Sequence, residues 1–357
     1  MSKSNTRYLS QSGLTVALDV GDKYCHICVL DEAAEIVDEG RVPTTKIALT
    51  RRLSALEPSL VAIEVGTHSR WLSQLIEGLG HTCLVANAYA ASRFAGERKN
   101  DRLDAESLAR EARSDPQKLK PLSHRGETAA ADLAVVHSRD ILVRARGMLI
   151  LRVRGLSKAH GTRLPACDAR YFSVKVADLT PEALEPAMQP LLEAIQSLSD
   201  QIQTLDKQLE QLAEERYPEA NLLRQVAGVG PLISLSFVLT LEDPYRFKDS
   251  RDVGAYLGLV PRQRQSGERD PELGITKAGD AFLRHLLVQG AHYIVGVYGP
   301  DCHLRRWALR RGGGKNARKR TVIAVARKLA VLLHRLWVTG EVYEPLRGEP
   351  REEVVAA

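Results

Sequence analysis

A mixed α/β domain at the front of the chain, followed by two largely helical stretches, is the fold class the sequence predicts. Three observations predict it: short apolar runs alternate with helix-forming segments over residues 14–113, apolar residues recur at spacings of four and three over 191–212, and glycine-punctuated apolar and basic helical patterns begin near 221. With 357 residues the chain is long enough for two or three domains, and a hydrophobic content of 44% supplies ordinary cores. A formal charge of +6 is mild for the whole chain, so a site for a polyanion has to come from where the charge is concentrated.

The elements of the first domain follow in order. LTVALDVG (14–21) has a strand pattern, and YCHICVLD and AEIVDEGRVPT continue it, with the turn-prone GDK and DEAA between them, so the three form an antiparallel meander. A helix is expected over about 45–57, then a strand at LVAIEVG (60–66), a helix at HSRWLSQLIEGLG ending at glycine, a fifth strand at HTCLVAN and a helix at DRLDAESLAREAR. Three strands running into β-α-β-α is the order of a ribonuclease H-like domain, assigned to residues 1–113. The five cysteines are odd in number and lack a framework spacing, as expected of reduced thiols. Cys25 and Cys28 form a CxxC, but strand alternation points them to opposite faces and no second ligand pair matches them.

Residues 114–217 are expected to form a linker and basic helix followed by a helical coiled-coil arm. The helix at about 126–158 carries Arg139, Arg144, Arg146, Arg152, Arg154 and Lys158 against Asp140 alone over 139–158. Over 181–217, Leu191, Ile195, Leu198, Ile202, Leu205, Leu209 and Leu212 make a heptad seam. A mainly α domain follows at 218–345, opening with NLLRQVAGVGPLISLSFVLTL, a helix-hairpin-helix-like element whose turn offers backbone N–H groups to phosphate. Residues 305–328 hold ten Lys or Arg and no acid, a phosphate-contacting pattern that includes Arg310, Arg311, Lys315, Arg318, Lys319 and Arg320. Residues 346–357 read as a flexible tail.

The heptapeptide KNDRLDA (99–105) places Asp101 and Asp104 three apart at a helix start. Asp101 can cap or lead the first turn, but Asp104 then lies beside it, and like charges at that spacing repel. The pair makes sense if it shares a cation with other acids. On the first strand Asp19 shares a face with Thr15 and Ala17, and on the fourth Glu64 shares one with Leu60 and Ala62. Carboxylates in such apolar strands are expensive to bury unless they are paired or coordinate a cation. In a ribonuclease H-like sheet these strands are neighbours and the later helix brings its acids to the same edge. Asp19, Glu64, Asp101 and Asp104 are therefore expected to hold one or two Mg²⁺ ions, with Mn²⁺ as a substitute.

This order of acids, in ALDVG, AIEVGTHS and KNDRLDA, resembles the RuvC-like DEDD domain of the "one-ten" group of insertion-sequence transposases, the bridge-RNA-guided recombinases. The stretch AGVG, AYLGLVPRQRQSGERDPELGITKAGDAFLRHLLVQGA resembles that family's transposase domain, so the likeness spans nearly the whole chain. It implies that Ser266, in the QSG motif, is the nucleophile that attacks the DNA backbone and forms a phosphoserine–DNA intermediate. Arg262, Arg264 and Lys277 around it become phosphate contacts, joined by Arg139 and Arg146 of the basic helix. The resemblance further implies donor and target DNA, a noncoding bridge RNA, a homodimer or homotetramer, and a prokaryotic, nucleoid-associated setting, and a cytoplasmic location is expected from the absence of targeting and membrane-spanning patterns. The sequence itself shows no signal-peptide core and no run long enough to span a membrane.

Other readings fit less of the sequence. LDVG before a hairpin also resembles the first phosphate loop of sugar kinases and actin-like ATPases, but the second Asp-Gly loop and the adenosine motif they need are not evident. A RuvC-like Mg²⁺-dependent nuclease using water would leave Ser266 a bystander, and a non-catalytic binding protein would leave the four acids unexplained.

Overall fold

The computed structural model describes residues 13–87, 100–263, 273–311 and 315–347. The chain divides into two compact units, Met1–His124 and Arg125–Ala357. The helices expected to form a separate arm thus belong to the same unit as the C-terminal helices, because their near ends share its core: Leu133, Val136, Leu209 and Ala213 pack with Leu235, Leu287 and Leu329.

The first unit is built on a five-stranded mixed sheet of order β3-β2-β1-β4-β5. Strands β1 (Thr15–Val20), β2 (Tyr24–Leu30) and β3 (Ile36–Pro43) form the antiparallel meander, and β4 (Leu60–Glu64) and β5 (Thr82–Ala86) add parallel to β1. Alternation divides the side chains between two covered faces. On one, Val16, Leu18, Ile27, Val61 and Ile63 pack with Leu49 and Leu53 of helix α1 (Lys46–Leu53) and Leu72 and Ile76 of α2 (Ser69–Gly78). On the other, Ala17, Leu60, Ala62, Leu84 and Ala86 meet Ala105, Leu108, Ala109 and Ala112 of α3 (Asp101–Ser114). Methyl groups line both sides of this second contact, so the helix backbone lies close to the sheet. Cys25 belongs to the first face and Cys28 to the second, and burial raises both thiols, Cys28 to about 11.

The second unit is helical. Helices α4 (Glu127–Ala159) and α6 (Glu185–Glu215) are 33 and 31 residues long and pack against each other, with α5 (Phe172–Val176) beside their far ends. Buried Asp132 on α4 accepts hydrogen bonds from Arg216 and from the Tyr217 hydroxyl, at 3.1 and 2.8 Å. Along α6 the fully buried residues are Met188, Leu192, Ile195, Ser199, Ile202, Leu209 and Ala213. The spacing of four and three holds, but the packed stripe is turned relative to the leucine seam: Ile195, Ile202 and Leu209 lie in both, whereas Leu191, Leu198, Leu205 and Leu212 are half-buried. Ser199 accounts for part of the turn, since its hydroxyl donates to Ile195 O and accepts from Arg146, which satisfies a polar group in the contact.

Among the described residues the unit continues with α7 (Pro218–Leu223), α8 (Pro231–Leu241), α9 (Asp252–Tyr256), α10 (Ala281–Val295), α11 (His303–Arg310) and α12 (Lys315–Thr339). Every residue of α8 from Ile233 to Leu241 is buried, as its all-round apolar sequence requires. The turn between α7 and α8 crosses α10 at two glycines. Gly228 has φ +81°, and a Cβ on it would meet Gly290 O at 2.9 Å, so no other residue fits there without displacement. Among the described residues, no helix is long and apolar enough to cross a membrane.

Candidate functional site

The register of β1 and β4 sets the position of the first two acids. Their parallel pairing runs from Thr15 with Leu60 to Leu18 with Ile63, so Asp19 and Glu64 follow as the next pair, at the carboxyl ends of adjacent strands. Both line a cleft of about 320 Å³ together with Asp22, Gly66, Thr67 and His68. Carboxyl ends of neighbouring parallel strands are where an open sheet leaves room for a ligand.

Helix α3 approaches the same edge. Arg113, near its end, donates to Gly13 O and Thr15 Oγ1 at the beginning of β1, at 2.6 and 3.3 Å, so the helix runs antiparallel to that strand. Asp104 is nine residues before Arg113, or about 13.5 Å at 1.5 Å per residue, and Asp19 is four residues past Thr15, about 13 Å at 3.3 Å per residue. Asp104 therefore lies at the level of Asp19. The cap is Asn100 rather than Asp101: the Asn100 side chain accepts from Arg102 N at 3.0 Å, leaving Asp101 as the first helical residue, exposed, with Asp104 half-buried one turn on. Arg102 turns away to Glu39 of β3, at 2.8 Å. The fold thus sets Asp19 and Glu64 in one cleft and Asp104 at the level of Asp19 along β1, and in this arrangement it stops short of a single cage. Among the described residues no three His, Cys, Asp or Glu side chains are gathered closely enough to hold one ion.

His68, which the sequence did not single out, also lines the cleft, and Trp71 holds its ring. The Trp71 indole donates to His68 Nδ1 at 3.1 Å, and since an indole nitrogen only donates, the neutral ring carries its proton on Nε2. That nitrogen lies 3.6 Å from Asp22 Oδ1. The signal available was HSRW directly after the Glu64 strand, which sets His and Trp three apart on the first turn of a helix. The intervening loop is closed by Ser69, whose hydroxyl donates to Gly66 O at 2.7 Å and accepts from Gly66 N at 3.1 Å.

The predicted phosphate contacts fall into three groups. Arg139 donates to Asp206 at 2.8 Å and Arg146 to Ser199 at 3.2 Å, both across the α4–α6 contact, so these two cations have partners within the helix pair. Burial, then the charge of Arg139, lowers the Arg146 guanidinium below its usual range. Arg262 and Lys277 line a shallow recess of about 500 Å³ beside a bridge that pairs Pro261 with Ile275. Ser266 and Arg264 lie outside the described residues, as does the side chain of Lys315. Arg310, Arg311, Arg318, Lys319 and Arg320 are exposed.

Residues 16–159 match a transposase family of the DEDD class, and residues 220–304 match the family described as transposase IS116/IS110/IS902. A probable family 20 transposase of Pseudomonas aeruginosa is 32% identical over 248 residues, covering 67% of this chain and 72% of that protein. The chain belongs to the IS110 transposase family. The transposase of insertion sequence element IS1111A from Coxiella burnetii is 26% identical over 336 residues, 92% of this chain and 90% of the relative. That of IS1328 from Yersinia enterocolitica is 28% identical over 281 residues, 77% and 82% of the two chains. The present chain is thus a DNA transposase enzyme of an insertion sequence, and its DEDD class implies use of a divalent metal. The donors at the sheet edge suit such an ion, since Asp19, Glu64, Asp101 and Asp104 offer only carboxylate oxygens, the ligands of hard cations.

Proposed function

We propose that this transposase cuts and rejoins donor and target DNA through attack by Ser266 on the phosphodiester, with Asp19, Glu64, Asp101 and Asp104 holding one or two Mg²⁺ ions. The observation that supports it most is the placement of Asp19 and Glu64 as neighbours in one cleft, with the helix carrying Asp101 and Asp104 running to the same edge. When bound, a divalent ion polarises the phosphodiester and offsets charge on the departing oxygen. In the proposed step the Ser266 hydroxyl oxygen bonds to phosphorus, one phosphorus–oxygen bond of the strand breaks, and the serine proton ends on the released sugar oxygen. Rejoining reverses this with a different strand end as the attacking hydroxyl. No net bond energy is lost between the two steps, so no nucleotide cofactor is required.

His68 lines the cleft, and with Nδ1 accepting from Trp71 its Nε2–H is available to donate a hydrogen bond to a phosphate oxygen there. Guidance by a noncoding bridge RNA and assembly into homodimers or homotetramers belong to the same proposal and rest on the resemblance of the motifs. The exposed cations at 310–320 would then hold nucleic-acid backbones without reading bases.

The test is a denaturing gel of the purified protein incubated with its insertion-sequence ends, bridge RNA and Mg²⁺. A covalent protein–DNA adduct is expected, and Ser266→Ala is expected to abolish it while RNA binding persists. Free DNA ends without an adduct would instead identify a nuclease that uses water, and adduct formation by Ser266→Ala would remove this serine from the mechanism.

A further inference from the structure

A recess in the second unit is built from residues far along the chain from Ser266. It measures about 650 Å³ and is formed by α11, α12 and the chain after residue 340. Its walls combine an aromatic ring with an excess of positive charge. Trp307 is half-buried, and its ring has Lys328 Nζ at 4.6 Å and Arg311 Cζ at 5.0 Å from the centroid. Arg251 and Arg327 line the same recess. Among the described residues none of these four cations is paired with a carboxylate. The neighbouring Glu341 is already taken up by Arg335 and Arg347.

Two cations over an indole, with Arg251 and Arg327 lining the same recess and Glu341 and Glu344 as its carboxylates, leave an excess of positive charge that an anion would offset, and an indole face is a platform for a planar ring. An unpaired nucleotide supplies both parts. Its base stacks on Trp307 and displaces one of the cations now resting over the ring, and that cation meets the phosphate the base brings with it. A duplex cannot do this, because its bases are stacked on each other and only phosphates reach the protein. The recess has the volume of an ordinary small-molecule pocket, which accommodates one nucleotide with its flanking phosphates.

We infer that the recess around Trp307 is a binding site for an unpaired nucleotide of a single-stranded nucleic acid, with stacking on Trp307 and phosphate contacts from Arg251, Arg311, Arg327 and Lys328. This rests on the reading of the protein as one that handles nucleic acid strands, and it involves residues other than the four acids and Ser266.

The experiment measures binding of the full chain to short single-stranded oligothymidylate and oligouridylate, an abasic strand of equal length and a blunt duplex. Trp307→Leu is expected to weaken the single strands about tenfold and the abasic strand and duplex hardly at all, with Trp307→Phe retaining most of the affinity. Should Trp307→Leu fold poorly, Arg327→Gln serves in its place and is expected to lower the salt dependence of single-strand binding by about one ion. Stronger loss with oligouridylate marks an RNA strand as the source of the nucleotide, and stronger loss with oligothymidylate marks a displaced DNA strand. An abasic strand that binds as tightly as its normal counterpart, or single-strand affinity unchanged in both variants, overturns the site. Duplex cleavage that persists in such variants would leave the transposase reading standing.

Discussion

In the first unit the acids of the proposed metal site sit on paired strands: Asp19 and Glu64 follow directly on a run of registered residues, and their separation is fixed by the sheet. In the second unit the cations project from helix faces, as Arg311 does from the end of α11 and Arg327 and Lys328 do from α12. A rigid frame suits groups that must share one ion within a few tenths of an ångström. Long side chains on helices suit a flexible polyanion whose phosphates are met one at a time, since each cation can swing without disturbing the core beneath it. The contrast between the units is thus one of tolerance, narrow for the acids and wide for the cations.

The largest effect is expected at Glu64. Glu64→Gln keeps the volume and removes the charge, so strand cleavage is expected to fall by roughly a thousandfold or more in a gel assay while the melting temperature stays near that of the parent. Cleavage within tenfold of the parent would mean that the rigid frame positions nothing essential. The helical unit should respond to loss of an internal clamp. Asp132→Ala leaves Arg216 and Tyr217 without their partner and is expected to cost about 2 kcal/mol in urea unfolding, less than a fully enclosed pair because Arg216 is half-exposed. A loss below a few tenths would show that α4 and α6 are held by apolar packing alone. The smallest effect concerns pH. Burial, reinforced by the charge of Arg70, lowers the His124 imidazole, so the unfolded chain takes up the proton first as pH falls. This contribution to the first unit is full above the unfolded value of about 6.5 and shrinks below it. His124→Gln is expected to flatten the fall in melting temperature between neutral and mildly acid pH, and an unchanged slope would rule the residue out.

Much of the first unit was legible in the sequence because strand alternation has a short, exact period. The same alternation that assigned Val16 and Leu18 to one face and Ala17 to the other also carried Asp19 to the α3 side. The helix pair was harder. A tally of leucines found the spacing along α6 but turned the face, because the real contact buries Ser199 and Ala213, which an apolar count passes over. His68 escaped notice since its role depends on a hydrogen bond from Trp71 that exists only once α2 begins at Ser69. Of the two places the sequence left open for Asp101, cap or first turn, the backbone takes the second, since Asn100 is also a good cap and accepts from Arg102 N. Ser266 carried no physical signal of its own, since no triad accompanies it, and only the resemblance of QSG to a family motif singled it out.

The methyl-on-methyl contact beneath α3 has a consequence for variation. Ala105, Ala109 and Ala112 act as a spacer of fixed thickness over Ala17 and Ala62, so any larger side chain in this layer would raise the whole helix and carry Asp101 and Asp104 away from the strand ends. Substitutions deep beneath the acids, touching none of them, should therefore silence the enzyme as surely as removing a carboxylate.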